Sequence, residues 1–434
     1  MELSESGVKK YVMSNIPDDI VKYVILKYLD FNKFVIVRNG HIIAIYARLN
    51  VNLSIIPANK KFLEISIRSF NIIKSIPVII GLRKIEIWGH NTIPVIPYMK
   101  KLQEISIWGN NTIPVIPYMK RLQEISIRGD NIIEIIPVII GLRKIEILGN
   151  NTISKIPNIK NLCKLEIAGR NTISVIPKLE GLQKLRITGD NTISEIPNMK
   201  KIRKIFINGR NTISVIPKLE GLIKLTITGD NTISKIPKIE GLKYLSVGGK
   251  NTISFIPNIE ELRELYIDGH NTIKIIPNIE ELRRINIDGH NTISEIPKLR
   301  KLHSLSIDGH NTISKLFKMR ELKYIYIDGY NTISFIPFIK ELKYIDIGGR
   351  NTIFEIPKIE ELFILNISGY NTIKIIPNIR GLLQISIYGY NTIDTIPDIS
   401  ADRIKILSRG PISTLSDKKL LRRGADNGMF IYYW

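Results

Sequence analysis

Apolar and variable positions alternate along this chain in a frame that returns every 20 residues. An asparagine falls in the same slot 17 times in succession, from Asn71 to Asn391. One clean copy reads Leu182, Leu185, Ile187, Gly189, Asn191, Thr192, Ile193, Ile196 and Pro197. The spacing shortens from three to two across Leu182, Leu185 and Ile187, and a period of two predicts a short strand with one buried face. Gly189 suits a backbone position with positive φ, where the chain leaves that strand. Pro197 lacks a backbone N–H and biases its predecessor to extended backbone, so the return path is expected to be extended, not helical. A strand, two corners and a return fill 20 residues and leave little room for a full α-helix. A fixed short period with constant apolar slots is the signature of a solenoid, each repeat being one coil stacked on the last. Strands of successive coils are then expected to run parallel, about 4.8 Å apart.

Six apolar slots per coil, filled in one copy by Ile193, Ile196, Met199, Ile202, Ile205 and Ile207, are the expected core. A buried aliphatic side chain contributes roughly 1.5–3 kcal/mol. One coil cannot overcome the ordering entropy on that basis; a stack can. Asn191 and Thr192 are polar amid isoleucines. A tight coil leaves main-chain groups unpaired, and a column of Asn amides can bond them from coil to coil. These asparagines are therefore expected to be structural.

The frame Leu-x-x-Leu-x-Ile-x-Gly-x-Asn-Thr-Ile-x-x-Ile-Pro resembles the leucine-rich repeat over residues 42–415. The resemblance implies a repeat solenoid with one parallel β-strand per 20-residue coil. Two features depart from the family pattern. The Asn comes one residue later than usual, which implies a re-registered Asn ladder, and the unit is at the short end, which fits non-helical, Pro-containing backs. The Ile-Pro and Gly-x-Asn elements are also similar, more loosely, to the Ile-Pro-rich repeats of amoebal and giant-virus proteins.

The ends differ in kind. Residues 1–40 precede the first degenerate coil, in which Ile42, Ile45 and Ala47 take strand slots. Pro17, followed by Asp18 and Asp19, is a helix start suited to the helix dipole. Ile20, Val24 and Tyr28 form one i, i+4 row, and Ile25 with Leu29 forms another, so the helix has two apolar surfaces to bury. Ile16 through Ile20, Ile25-Leu26, Tyr28-Leu29-Asp30 and Phe34 through Arg38 resemble the first half of an F-box. That resemblance implies docking of a ubiquitin-ligase adaptor through Pro17, Ile20, Ile25 and Leu29. A plain helical cap over the first coil is the equal alternative, since the third F-box helix has no counterpart. After residue 400 the frame continues one position early at Ile404, Ile406, Ile412 and Leu415. Residues 416–434 then read as a C-terminal cap that ends in an aromatic strand at Met429–Trp434.

Composition narrows the setting. In 434 residues, Cys163 is the only cysteine, so no intrachain disulfide forms. Met1–Tyr11 has no apolar stretch and no segment approaches a membrane span, so an intracellular, soluble chain of cytoplasm or nucleus is expected. The formal net charge of +22 favours acidic partners such as nucleic acid.

Outward-facing slots of successive coils form surface columns. Lys144, Lys164, Lys184, Lys204 and Lys224 make a basic ladder, with Glu146 and Glu166 placed to relieve it. Trp88 and Trp108 share a column, although their coils are near copies. Tyr244, Tyr266, Tyr324, Tyr326 and Tyr344 occur in dissimilar coils, and exposed Trp and Tyr are the anchors that protein interfaces use. Asp268, Asp288, Asp308 and Asp328 run beside His270, His290, His310 and Tyr330. A His row can bind metal, but strand neighbours point in parallel and duplication explains the column, so no metal site is expected. There is no nucleophile–base pair, phosphate loop or paired Cys set outside the frame, so neither catalysis nor a cofactor is expected. The expectation is a protein-interaction scaffold whose strand face binds a partner, possible adaptor docking making it a substrate receptor of a cullin-type ligase. The alternative is a nucleic-acid-binding solenoid that uses the Lys ladder.

Overall fold

The computed structural model describes residues 76–396 apart from 134, 152–154, 171–172, 190–192, 211–212 and 230–231, together with strands outside that range. The N-terminal segment 14–30, which carries Pro17, Ile20, Ile25 and Leu29, lies outside the described residues. The chain divides into two units, Met1–Thr212 and Ile213–Trp434.

Each unit is a parallel β-solenoid with one main strand per coil, and in the last coils of the second unit Thr372–Ile375, Thr392–Ile396 and Ile412–Leu415 add a second, three-stranded parallel sheet. In the first, His41–Ala47 pairs antiparallel with Lys33–Arg38 and parallel with Glu64–Ser69. From there the strands run parallel at a constant offset of 20 residues, so that Ile65 faces Ile85 and Lys164 faces Lys184. In the second unit the same offset sets Tyr324 beside Tyr344. The offset drops to 19 where Gln384 meets Arg403, which is the one-residue deletion read in the sequence. Phe430–Tyr433 then closes antiparallel on Arg403–Ser408. No helix occurs among the described residues.

The six apolar slots converge inside each coil. Ile193, Ile196, Met199, Ile202, Ile205 and Ile207 are all 5% exposed or less. Strands such as Glu264–Ile267 alternate half-buried with buried positions, as a one-sided strand requires.

The glycine slot has two independent constraints. Gly209 has φ +124°, and a Cβ there would lie 1.7 Å from the Gly189 carbonyl oxygen of the preceding coil. Backbones touch at this column, so only a residue without a side chain fits. The Asn slot bonds the coils together. The Asn91 Nδ2 donates to Asn111 Oδ1 at 2.9 Å and to the Trp88 carbonyl at 3.2 Å, and the same Oδ1 accepts from Asn91 N at 3.1 Å. Within the second unit the acceptor is re-registered in coils such as that of Asn271, whose Oδ1 takes the Ile253 N–H at 3.2 Å while its Nδ2 donates to the Asp268 carbonyl at 2.9 Å. The first pattern returns at Asn371, whose Nδ2 donates to Asn391 Oδ1 at 2.8 Å. Both patterns satisfy buried main-chain groups, so the column is structural.

Candidate partner-binding face

Within the first unit, the strand face carries an aromatic column followed by a charged one. Trp88 and Trp108 stack with centroids 4.4 Å apart, and the Arg128 guanidinium lies over Trp108 at 4.4 Å. One face of Trp88 and both faces of Trp108 thus meet a neighbour, and both tryptophans are half-buried. Much of their surface is spent within the fold.

The lysine column is continuous from Lys144 through Lys164 and Lys184 to Lys204, but its members are not equivalent. Glu146 pairs with Lys144 at 3.3 Å and also with Lys164, and Glu166 pairs with Lys164 at 3.3 Å and with Arg186 at 3.3 Å. Burial raises the Glu146 carboxyl pKa, but the Lys164 hydrogen bond and the nearby Lys144 charge outweigh it and hold the group below its ordinary range. The Glu146 hydrogen bond is the main reason that the Lys164 ammonium titrates above its ordinary range. Lys184 and Lys204 are exposed, and no carboxylate lies within ion-pair distance of either among the described residues. Lys164 is therefore paired with two carboxylates, unlike the next two rungs.

In the second unit, Tyr244 and Tyr266 are tied into local contacts. Their rings lie 5.4 Å apart, Lys224 sits over Tyr244 at 3.8 Å, and the Tyr266 hydroxyl donates to Glu264 and accepts from Arg284 at 3.0 and 3.1 Å. Asn286 and Ser306 separate Tyr266 from Tyr326 in the same column, so the five tyrosines form two groups. Tyr324 and Tyr326 are the open pair, 49% and 36% exposed on one strand. Tyr344, beside Tyr324, is half-buried and donates to Asp346 at 3.0 Å.

Acidity of this second group is what sequence reasoning missed. Burial raises the Tyr326 phenol above its ordinary range, and Asp308, Asp328, Asp346 and Asp288 raise it further. The Asp column itself is legible in the sequence beside the His row that suggests metal, but its reach to Tyr326 is not. Those aspartates instead cap the glycine turn: Asp288, Asp308 and Asp328 accept from Gly289, Gly309 and Gly329 N–H at 2.6, 2.6 and 2.7 Å. Beside them His270, His290, His310 and Tyr330 stack at 5.2, 5.0 and 5.3 Å. No group of three His, Cys, Asp or Glu among the described residues converges as metal ligands would.

No protein-family model matches the chain, and no curated protein matches it. Solved structures do. YopM from Yersinia enterocolitica, a leucine-rich repeat protein, aligns over 81% of this chain and 88% of its own at 17% identity and a TM-score of 0.51. The fold is thus leucine-rich-repeat-like. The functional domain of InlJ from Listeria monocytogenes aligns over 64% of this chain and 71% of its own at 15% identity and TM-score 0.43. A chain of the Drosophila Toll–Spatzle complex aligns over 85% of this chain and 64% of its own, at 12% identity and TM-score 0.48. No described helix is long and apolar enough to cross a membrane.

Proposed function

We propose that the chain is a non-catalytic interaction scaffold that binds a partner protein on the strand face of its second unit, around Tyr324, Tyr326 and Tyr344. The observation that carries this reading is the open pair Tyr324 and Tyr326, set among Asp288, Asp308, Asp328 and Asp346. Tyrosine offers a large amphipathic contact at low ordering cost, and a solenoid holds it on a rigid repeated surface. The carboxylates select against acidic partners and favour one that presents Lys or Arg there. To test it, the immobilised full chain is compared with the double variant Tyr324→Ala and Tyr326→Ala for retention of partners from cell extract. The expected result is at least a tenfold loss of a specific bound protein; equal retention by both chains would sink the reading.

The finer reading, a substrate receptor for a cullin-type ubiquitin ligase, rests on Pro17, Ile20, Ile25 and Leu29 as the adaptor-binding residues. The second reading, nucleic-acid binding, is favoured by Lys184 and Lys204, exposed with no carboxylate at ion-pair distance among the described residues. It requires affinity that falls steeply with salt and depends on those two side chains.

A further inference from the structure

On the return path of the second unit, two outward slots per coil flank one buried residue. Lys298 and Arg300 flank Leu299, and Lys318 and Arg320 flank Met319 one coil on. Together these four cations line a groove of about 170 Å³ whose floor is Met319. Ligand pockets for drug-sized molecules measure roughly 300–1,000 Å³, so this one suits a compact group.

The charge here differs from that of two earlier coils in the same unit. In those coils the Lys of the first slot meets a Glu from the second slot of the next coil: Lys238 pairs with Glu260 at 3.0 Å, and Lys218 approaches Glu240 at 3.9 Å. The equivalent partner of Lys298 is Arg320 and that of Lys318 is Lys340, as that of Lys358 farther on is Arg380. The two positions that would neutralise the groove are thus basic, not acidic. Of the acids in these coils, Glu281 pairs with Lys301, and Glu321 lies 3.6 Å from the His303 imidazole. Among the described residues no carboxylate lies within ion-pair distance of the four cations, although Glu280 occupies the slot of Arg300 one coil back. Copying does not account for the cluster, because the two coils differ in sequence. The second of them carries Phe317 where the other coils from Pro57 to Pro397 carry proline.

Adjacent like charges repel, and that repulsion is relieved by a bound anion. Arginine presents a planar fork that matches phosphate oxygens, and lysine adds point charges beside it. We infer that the groove between Lys298, Arg300, Lys318 and Arg320 binds a small anion bearing two or more phosphate groups.

Tripolyphosphate is the probe, titrated calorimetrically into the full chain. The decisive variant is Arg320→Glu, which restores the Lys–Glu pairing seen at Lys238 and Glu260 and so is expected to fold at least as well as the parent. Binding by the parent and at least a tenfold weaker affinity in Arg320→Glu, with an unchanged or higher melting temperature, would support the site. The control is Arg143→Glu in the wider groove over Gly141, which Lys120 and Arg121 also line; its affinity should match the parent. No binding by the parent, or equal losses in both variants, would overturn the assignment. So would binding of a single-stranded oligonucleotide with none of tripolyphosphate, which would point to a macromolecular polyanion.

Discussion

The Tyr344 hydroxyl donates a hydrogen bond of 3.0 Å to Asp346, two residues along the same strand. Asn366 from the next coil donates to the same carboxylate oxygen at 3.2 Å. Burial raises the Tyr344 phenol pKa above its ordinary value of 10.0, and the Asp346 charge and hydrogen bond raise it further. Tyr326 and Tyr266 are raised too, again with burial as the largest cause. These three phenols are therefore neutral at any physiological pH, and the negative charge beside Tyr326 and Tyr344 comes from aspartate.

Phenolate absorbance during an alkaline titration checks this. These tyrosines should ionise above the ordinary phenol value, and Asp346→Asn should bring Tyr344 and Tyr326 down. A phenol whose folded pKa is raised contributes stability that is present below the unfolded pKa near 10 and lost as pH rises through the folded value. Stability should thus fall from about pH 10 upward. A titration that Asp346→Asn leaves unmoved would show that the hydrogen bond does not hold the proton.

Acid acts on the first unit with the opposite sign. Glu146 bonds Lys144 and Lys164 and has a lowered folded pKa. Its contribution is present above the ordinary carboxyl pKa of 4.5 and lost as pH falls through the folded value. Because both lysines are about one-third exposed, solvent screening keeps the effect near 1 kcal/mol. Glu146→Gln should lower stability by about that amount at neutral pH, and melting curves of variant and parent should converge in acid. If they stay apart at pH 2–3, packing and not charge explains the loss.

The strand slots, the core slots and the structural role of Asn were legible because each is a backbone constraint repeated in every coil. Gly189, for example, has φ +97°, as its place at the end of the strand requires. Surface chemistry was less legible, because a column fixes which side chains are neighbours but not which of them pair. Lys164 and Lys184 occupy the same slot, yet Glu146 and Glu166 reach the first, while Arg186 stands where the next carboxylate would be. The acidity around Tyr326 was half legible. The period aligns Asp288, Asp308 and Asp328 in one column, but a net charge of +22 is an average over the chain, and the sequence does not show that these charges reach Tyr326. Trp88 and Trp108 read as free anchors because sequence cannot show that they cover each other.

Two glycines with positive φ should respond very differently to alanine. At Gly209 the added Cβ would strike the Gly189 carbonyl, which is backbone and cannot swing aside as the end of a flexible side chain can. Gly209→Ala should therefore cost more than about 4 kcal/mol. At Gly241, with φ +78°, a Cβ would meet nothing within 4 Å, so Gly241→Ala should cost only the left-handed penalty of about 1–2 kcal/mol. Denaturant melts of the two variants separate contact from conformation. Similar losses at both sites would show that the coils do not approach as closely as the Gly189–Gly209 column requires.

Ile20 separates the two roles open to the N-terminal segment. Docking of an adaptor needs Pro17, Ile20, Ile25 and Leu29 to present an apolar surface that the rest of the chain leaves open. A carboxylate at position 20 would then be solvated in the free protein, so Ile20→Asp should abolish adaptor capture and leave the melting temperature unchanged. A segment that only caps the first coil buries the same side chain, and an unpaired carboxylate there costs several kcal/mol. A pull-down with a cullin-ligase adaptor and a melting curve on the full-length variant read the two cases with opposite outcomes. The adaptor reading predicts lost capture at constant stability. A large fall in melting temperature, with no capture by the parent chain, would leave the segment as a cap.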